Sequence, residues 1–292
     1  MINIINRILK IILYIIENCY LTFISFIGLL ELLTKRAYMS FSNAKSGEVI
    51  ILGNGPSLND IDLKRLRNSK REIACVNYFP IYNKDFFSIK PDYLCLFDPG
   101  FFDFIIKSEK DDYNKLLDCL EKVDWKLNII CPAGKRLKLK NSNISYLWIN
   151  YNVNPFPFIN KLVNFFYKRN ILSFGCHNVV LGALYYFISC KYDKIYIAGV
   201  DMSDFKNIFV DEQNRVYVNS THSYGTARYY FDEMPEQNLV RFYEILGAYQ
   251  RGFCGFDCAK RYADEMKVDI LNLSIGSYID SFDKVSPVDF SY

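Results

Sequence analysis

Short apolar runs recur along the chain, and most stop abruptly at Gly, Asn, Asp or Pro. Between them, apolar residues return at helical spacing. Runs at 49–53, 72–77, 92–97, 127–131, 144–148, 194–199 and 268–273 read as buried strands. Segments 58–67, 101–123, 158–167, 176–190 and 237–267 read as helices, the last expected to break between Gly252 and Gly255. Strands alternating with helices, without an internal repeat, predict an α/β fold with a mostly parallel sheet flanked by helices.

The pattern changes at the N-terminus. Residues 8–33 are largely apolar, bounded by Arg7 and by Lys35-Arg36. The expected organisation is therefore a membrane-associating segment at 1–36, a polar linker at 37–48 and a globular domain at 49–292. Glu17 and Asn18 near the middle of the apolar segment suit an in-plane helix or a shallow hairpin better than a simple span. A soluble helix packed on the domain or on a partner subunit is the alternative. No small-residue cleavage site follows the apolar stretch, so a cleaved signal peptide fits poorly. The expected location is the cytoplasmic face of an inner membrane.

Composition narrows the classes. Lys and Arg number 35 against 32 Asp and Glu, a net charge of +3, with both signs mixed along the sequence. That balance does not suggest a nucleic-acid binder, which usually carries a concentrated basic face. The densest basic stretch, Lys135 to Lys140, reads as a solvated strand edge or loop. The nine cysteines are irregularly spaced, and most have apolar neighbours. They point to a reducing compartment and buried thiols. Cys254 and Cys258 have no second pair or nearby histidine to make a zinc site.

Candidate chemistry gathers where the strands end. The first runs into Gly53-Asn54-Gly55-Pro56-Ser57, a strand, tight turn and helix start. Both glycines can take positive φ and admit a ligand close to the backbone, and Pro56 suits a first helical turn. The free amides there form an anion seat, and Asn54 adds a group that both donates and accepts. Asn77, Asp98 and Asp201 stand at the ends of three further strands, and Ser173-Phe174-Gly175 opens a helix. In a parallel sheet these positions share one rim, where such folds bind ligands.

In that order, the markers resemble the bacterial sialyltransferases of glycosyltransferase family 42 and the wider MptE-like nucleotide-binding superfamily. They are Val49–Leu58 with its Gly-Asn-Gly-Pro-Ser turn, Cys75-Val76-Asn77, Ser173-x-Gly175, Lys194–Asp201 and Asn272-Leu273-Ser274-Ile275-Gly276-Ser277. The resemblance implies a Rossmann-like GT-A variant with a lid at about 202–236. It implies inverting transfer of an acidic sugar from a CMP donor, in lipopolysaccharide or capsule synthesis. Gly53, Asn54, Gly55, Pro56, Ser57, Asn77, Ser173, Gly175 and Asp201 would hold the nucleotide. The family carries Asn where Asp98 stands, and a carboxylate there would have to face ribose hydroxyls. It also carries tyrosines where Ser203 and Phe209 fall, so Tyr217 or Tyr224 would steady the leaving phosphate. Asn272, Ser274 and Ser277 complete the implied substrate contacts.

Inverting transfer needs a base near neutral pKa. Of the two histidines, His222 lies in a polar, flexible stretch where the resemblance places a catalytic histidine; His177 sits at a helix start beside the Ser173 turn. Arg228, Arg241 and Arg251 are candidates for an anion clamp or for plain surface residues. No cofactor is required beyond the nucleotide sugar, although Asp201 and Asp204 could form a weak Mg²⁺ site. The partners implied are a nucleotide sugar, a glycan or lipid-linked acceptor and a membrane surface. Two other readings remain open. One is a diphosphokinase binding ATP at the same turn; the other is a non-catalytic, membrane-tethered scaffold for polysaccharide assembly.

Overall fold

A strand such as Val49–Leu52 offers apolar side chains to both sides, so it must be covered on both. Val49 and Ile51 enter one hydrophobic cluster, and Ile50 and Leu52 enter the other. The computed structural model describes residues 2–35, 46–103, 110–150, 153–154, 161–174, 178–233 and 241–290.

Helix α1 (Ile2–Lys35) precedes β1 (Glu48–Leu52), a 3-10 turn at Pro56–Asp60 and α2 (Leu63–Leu66). Next come β2 (Glu72–Val76), α3 (Phe79–Tyr82), α4 (Phe86–Ile89), β3 (Tyr93–Cys95), α5 (Lys110–Glu121), β4 (Leu127–Pro132) and β5 (Ile144–Ile149). A short parallel pair, β6 (Val153–Asn154) and β7 (Ser173–Phe174), brackets α6 (Lys161–Lys168) and leads into α7 (Val179–Ser189) and β8 (Lys194–Ala198). The chain closes with β9 (Ile208–Val210), β10 (Val216–His222), β11 (Gly225–Tyr230), α8 (Phe242–Met266), β12 (Asp269–Asn272) and β13 (Asp283–Lys284).

Eight strands form one sheet in the order β13-β12-β8-β1-β2-β3-β4-β5, and every pairing in it is parallel. The expected α/β class is therefore observed. Strand order runs one way from β1 to β5 and reverses at β8, so the crevice beyond β1 and β8 is the topological switch point. α7 covers one face of this junction and is buried at every position from Val180 to Ser189.

Several elements depart from the sequence reading. α8 runs unbroken through Gly252 and Gly255, both buried in it. A buried glycine there allows close packing and does not end the helix. The segment expected as one helix at 58–67 divides into the 3-10 turn and α2, because Asp62 accepts from the Arg65 amide and restarts the chain as a new N-cap. Of the expected helix 101–123, α5 covers Lys110–Glu121, residues 122–123 lie beyond its end, and 104–109 lie outside the described residues. The expected lid is an antiparallel sheet of β9, β10 and β11 rather than a flexible loop. In β10, Val216, Val218 and Ser220 turn inward and Tyr217, Asn219 and Thr221 are only partly covered. The polar residues that suggested a loop are the outer half of a period-two strand. No shallow hairpin forms at the N-terminus, where α1 is a single helix. Among the described residues, no helix is long and apolar enough to cross a membrane.

Among the described residues no disulfide forms, and Cys75, Cys95, Cys131 and Cys190 are buried among apolar side chains. In the basic stretch, Arg136 lies over the Trp148 ring at 4.7 Å and Lys135 pairs with Asp103. Most of the expected linker, at 36–45, lies outside the described residues.

Candidate functional site

At the switch point, β1 and β8 end side by side. Gly53 N donates to Ala198 O at 2.8 Å, and Gly55 N donates to Gly199 O at 2.8 Å. The two chain segments lie so close that a Cβ on Gly53 would stand 2.3 Å from Gly199 O, and one on Gly55 2.0 Å from Asp201 Oδ2. Gly55 has φ of −67°, and neither it nor Gly53 is among the positive-φ glycines. These glycines are required by the approach of the protein's own chain, not by left-handed backbone or by a ligand. Gly199 is the left-handed one, at φ +67°.

The anion seat expected at Pro56–Ser57 exists, and the chain fills it. Asp201 Oδ2 accepts from Ser57 N at 3.2 Å and from Ser57 Oγ at 3.0 Å. Pro56 stands in the first helical turn, as its sequence position suggested. Burial pushes the Asp201 carboxyl above the usual carboxylate range, and the Ser57 bonds offset part of that. Ser274 Oγ accepts from Val200 N, and Ser277 Oγ donates to Val200 O. The Asn272 side chain accepts from Ser274 N. These three residues, expected on the substrate, are buried and turned toward the strand end that carries Asp201.

A cleft of about 180 Å³ opens beside this junction. The structure brings Gly53, Asn54, Gly55, Pro56, Asn77, Asp201 and His222 to its wall, from separate segments of the chain. Asn54 Nδ2 donates to Val76 O at 3.3 Å, while Asn54 O accepts from Ser223 N at 2.8 Å. One residue thus joins β1, β2 and the β10–β11 hairpin. Asn77 takes φ +50°, and its Oδ1 is buried without a hydrogen-bond partner. A buried acceptor left unpaired carries a desolvation cost that a donor in the cleft would remove.

His222 ends β10 and lines the same cleft. Its Nε2 lies 3.2 Å from Ser220 Oγ, and its ring stacks on Tyr224 at 5.0 Å. Tyr224 in turn stacks on Tyr82 at 4.0 Å, and Tyr82 OH donates to Asp112 on α5. Burial holds the imidazole pKa below its ordinary value, against a smaller opposing pull from Asp204. That depression favours the unprotonated ring, the form able to accept a proton.

Other expected residues lie elsewhere. Asp98 is exposed and caps its own turn by accepting from Gly100 N at 2.8 Å. Ser173 is buried in β7. Tyr217 packs between Phe209 and Tyr230, outside the cleft, with Arg228 over its ring. Neither Arg228, Arg241 nor Arg251 lines the cleft. Gly175 and His177 lie outside the described residues. Among the described residues, no group of three or more His, Cys, Asp or Glu gathers around a common point.

Asn178 and Thr221 line the cleft without having been singled out. Asn178 Oδ1 accepts from Val180 N at 2.8 Å and caps α7. An asparagine directly before an apolar helical run is an N-cap signal. Starting that helix at 176 placed the residue inside it and hid the cap. With the cap at 178, the positive end of α7 opens onto the cleft.

No protein-family model and no curated protein matches the chain. Among solved structures it is similar to the sialyltransferase CstII from Campylobacter jejuni in complex with CMP. Identity is 15% over 86% of this chain and 89% of that one, with a TM-score of 0.42. It is also similar to the monofunctional alpha-2,3-sialyltransferase Cst-I from Campylobacter jejuni, at 16% identity over 87% of each chain and a TM-score of 0.42.

Proposed function

We propose that the chain is an inverting glycosyltransferase. It moves a sugar, a nonulosonate such as sialic acid, from a CMP donor to a glycan or lipid-linked acceptor. The observation that carries this reading is one cleft at the switch point, lined by His222 and holding an unpaired buried amide oxygen on Asn77. The ordered motifs quoted above support it independently.

Asn77 Oδ1 accepts from a donor on the base or ribose, and the capped start of α7 faces the phosphate with its positive end. In the tautomer that gives Nε2–H to Ser220, the lone pair of His222 Nδ1 serves as base. It takes the acceptor hydroxyl's proton as that oxygen bonds to the anomeric carbon from the face opposite the phosphate. The anomeric C–O bond breaks, its electron pair leaves with the phosphate, and CMP departs. The Ser57 amide is held by a carboxylate, which makes the glycine turn a poor seat for a triphosphate. The ATP-dependent diphosphokinase reading loses its binding site on that ground.

Donor hydrolysis and transfer across a panel of CMP- and UDP-sugars test the proposal. Turnover confined to CMP-sugars is expected; if no nucleotide sugar binds or turns over, the proposal fails. His222→Ala should abolish transfer and leave CMP affinity, read by calorimetry, within about threefold of the parent.

A further inference from the structure

More than half of the large apolar side chains that stay exposed among the described residues belong to α1. From Ile4 to Ile16 every residue is exposed, with Ile4 at 64%. The helix meets the body further along. Ile24 packs against the core on the α7 side, Ser25 is buried, and α6 lies alongside.

The faces of α1 are not equivalent. At about 100° per residue, Asn6, Arg7 and Lys10 fall in the same sector as Ile24 and Ser25. The polar stripe and the body contact therefore share one side. Ile8, Ile12, Ile15, Phe23, Phe26 and Leu30 centre on the opposite side, and all of them are exposed. This apolar face runs from Ile4 to Leu30, about 39 Å at 1.5 Å per residue, and spans about 200° of arc.

The width and the charge decide what covers it. A helical seam with a second copy buries a narrow stripe and would leave most of this arc in water. A perpendicular span would carry the body contact at Ile24 and Ser25 into hydrocarbon. A helix lying in the plane of a lipid surface satisfies both sides at once. Its broad apolar face sinks among acyl chains while its cations and the globular body stay in water. The geometry points to α1 as an in-plane membrane anchor. The face centred on Ile12 and Phe26 enters the lipid, and Arg7 and Lys10 lie at the level of anionic headgroups. This inference stands without the transferase reading, although a lipid-linked acceptor would give the anchor a use.

The test uses the full chain and sedimentation with vesicles of phosphatidylcholine, alone or mixed with phosphatidylserine. The protein is expected to pellet with the mixed vesicles. The double variant Ile12→Asp/Phe26→Asp should weaken partition at least about tenfold. Arg7→Glu/Lys10→Glu should remove about tenfold of the phosphatidylserine-dependent gain. Both pairs lie on exposed positions, so an unchanged thermal transition certifies that the variants fold. Ile12→Trp and Phe26→Trp report depth through quenching by brominated lipids, and equal, shallow quenching is expected for a helix in the plane. Three results overturn the inference: no pelleting with either vesicle, undiminished binding by the aspartate variant, or unequal depths at the two tryptophans. A lipid-free dimer that buries α1 and excludes vesicles overturns it as well.

Discussion

Replacing Gly55 by alanine tests the junction on which the cleft is built. The new Cβ would lie 2.0 Å from Asp201 Oδ2 and 2.7 Å from Gly199 O. The carboxylate can rotate away, but only by leaving Ser57 N and Ser57 Oγ, which it holds at 3.2 and 3.0 Å. Gly199 O is backbone and accepts from Gly55 N itself, so the remaining overlap must be relieved by shifting one strand end. Losing hydrogen bonds to a charged acceptor costs about 1.5–3 kcal/mol each, and overpacking adds about 1–3 kcal/mol. With partial relaxation the expected loss is about 3–5 kcal/mol. At about 2 °C per kcal/mol for a chain of this size, the melting temperature should fall by about 6–10 °C. Calorimetry on Gly55→Ala, Asp201→Ala and the double variant reads the effect. The double variant should recover at least about 1 kcal/mol relative to additivity, because the Oδ2 clash is gone. A melting point within about 2 °C of the parent for Gly55→Ala would refute the reasoning.

Activity should follow the deprotonated fraction of His222, rising with pH through an apparent pKa below 6.5 and level at pH 7, because burial depresses the imidazole. A kcat/KM profile with its midpoint above 7 would remove His222 as the base. The same depression makes the fold lose stability as pH falls below the unfolded histidine value, and urea titrations between pH 7 and pH 5 should show that direction. Asn77→Gly keeps the left-handed backbone and deletes an acceptor that has no partner, so stability should hold while CMP affinity falls about tenfold. Unchanged affinity would show that Oδ1 does not meet the nucleotide. Ser274→Ala leaves Val200 N without its acceptor and should cost about 1–3 kcal/mol in unfolding experiments. A loss of substrate affinity at unchanged stability would instead return Ser274 to a substrate-binding role.

Seven of the eight strands of the sheet could be read from the chain because each carries a mostly apolar run, whereas β13 is an exposed Asp-Lys pair with no such signal. The reversal between β1 and β8 was not readable, since pairing order depends on crossovers that leave no local trace. The antiparallel sheet at 208–230 escaped for another reason. Its inward positions include Ser220, and its outward ones include Asn219 and Thr221, so polarity masked the alternation. The glycine turn was found for partly the wrong cause. Gly53 and Gly55 were read as openings for a ligand, whereas both are packed against β8.

That distinction changes where a donor's charge can sit. A Gly-rich turn at the end of a first strand presents amides, and the ordinary inference is that an anion lands on them. Here Asp201 arrives from the neighbouring strand and takes the Ser57 amide and hydroxyl, at the cost of burying a carboxyl whose pKa rises. Ser274 and Ser277 hold Val200, the residue before it, and so keep that carboxylate in place. With the first helix start occupied, the cleft retains a second one at α7, capped by Asn178. A phosphate entering the cleft would be repelled by Asp201 and attracted by α7, so the two helix starts act with opposite sign on the same ligand. Asp201→Asn removes the repulsion while leaving an oxygen for Ser57, and CMP should then bind more tightly. Weaker binding by this variant, with the fold intact, would mean that the carboxylate itself contacts the nucleotide.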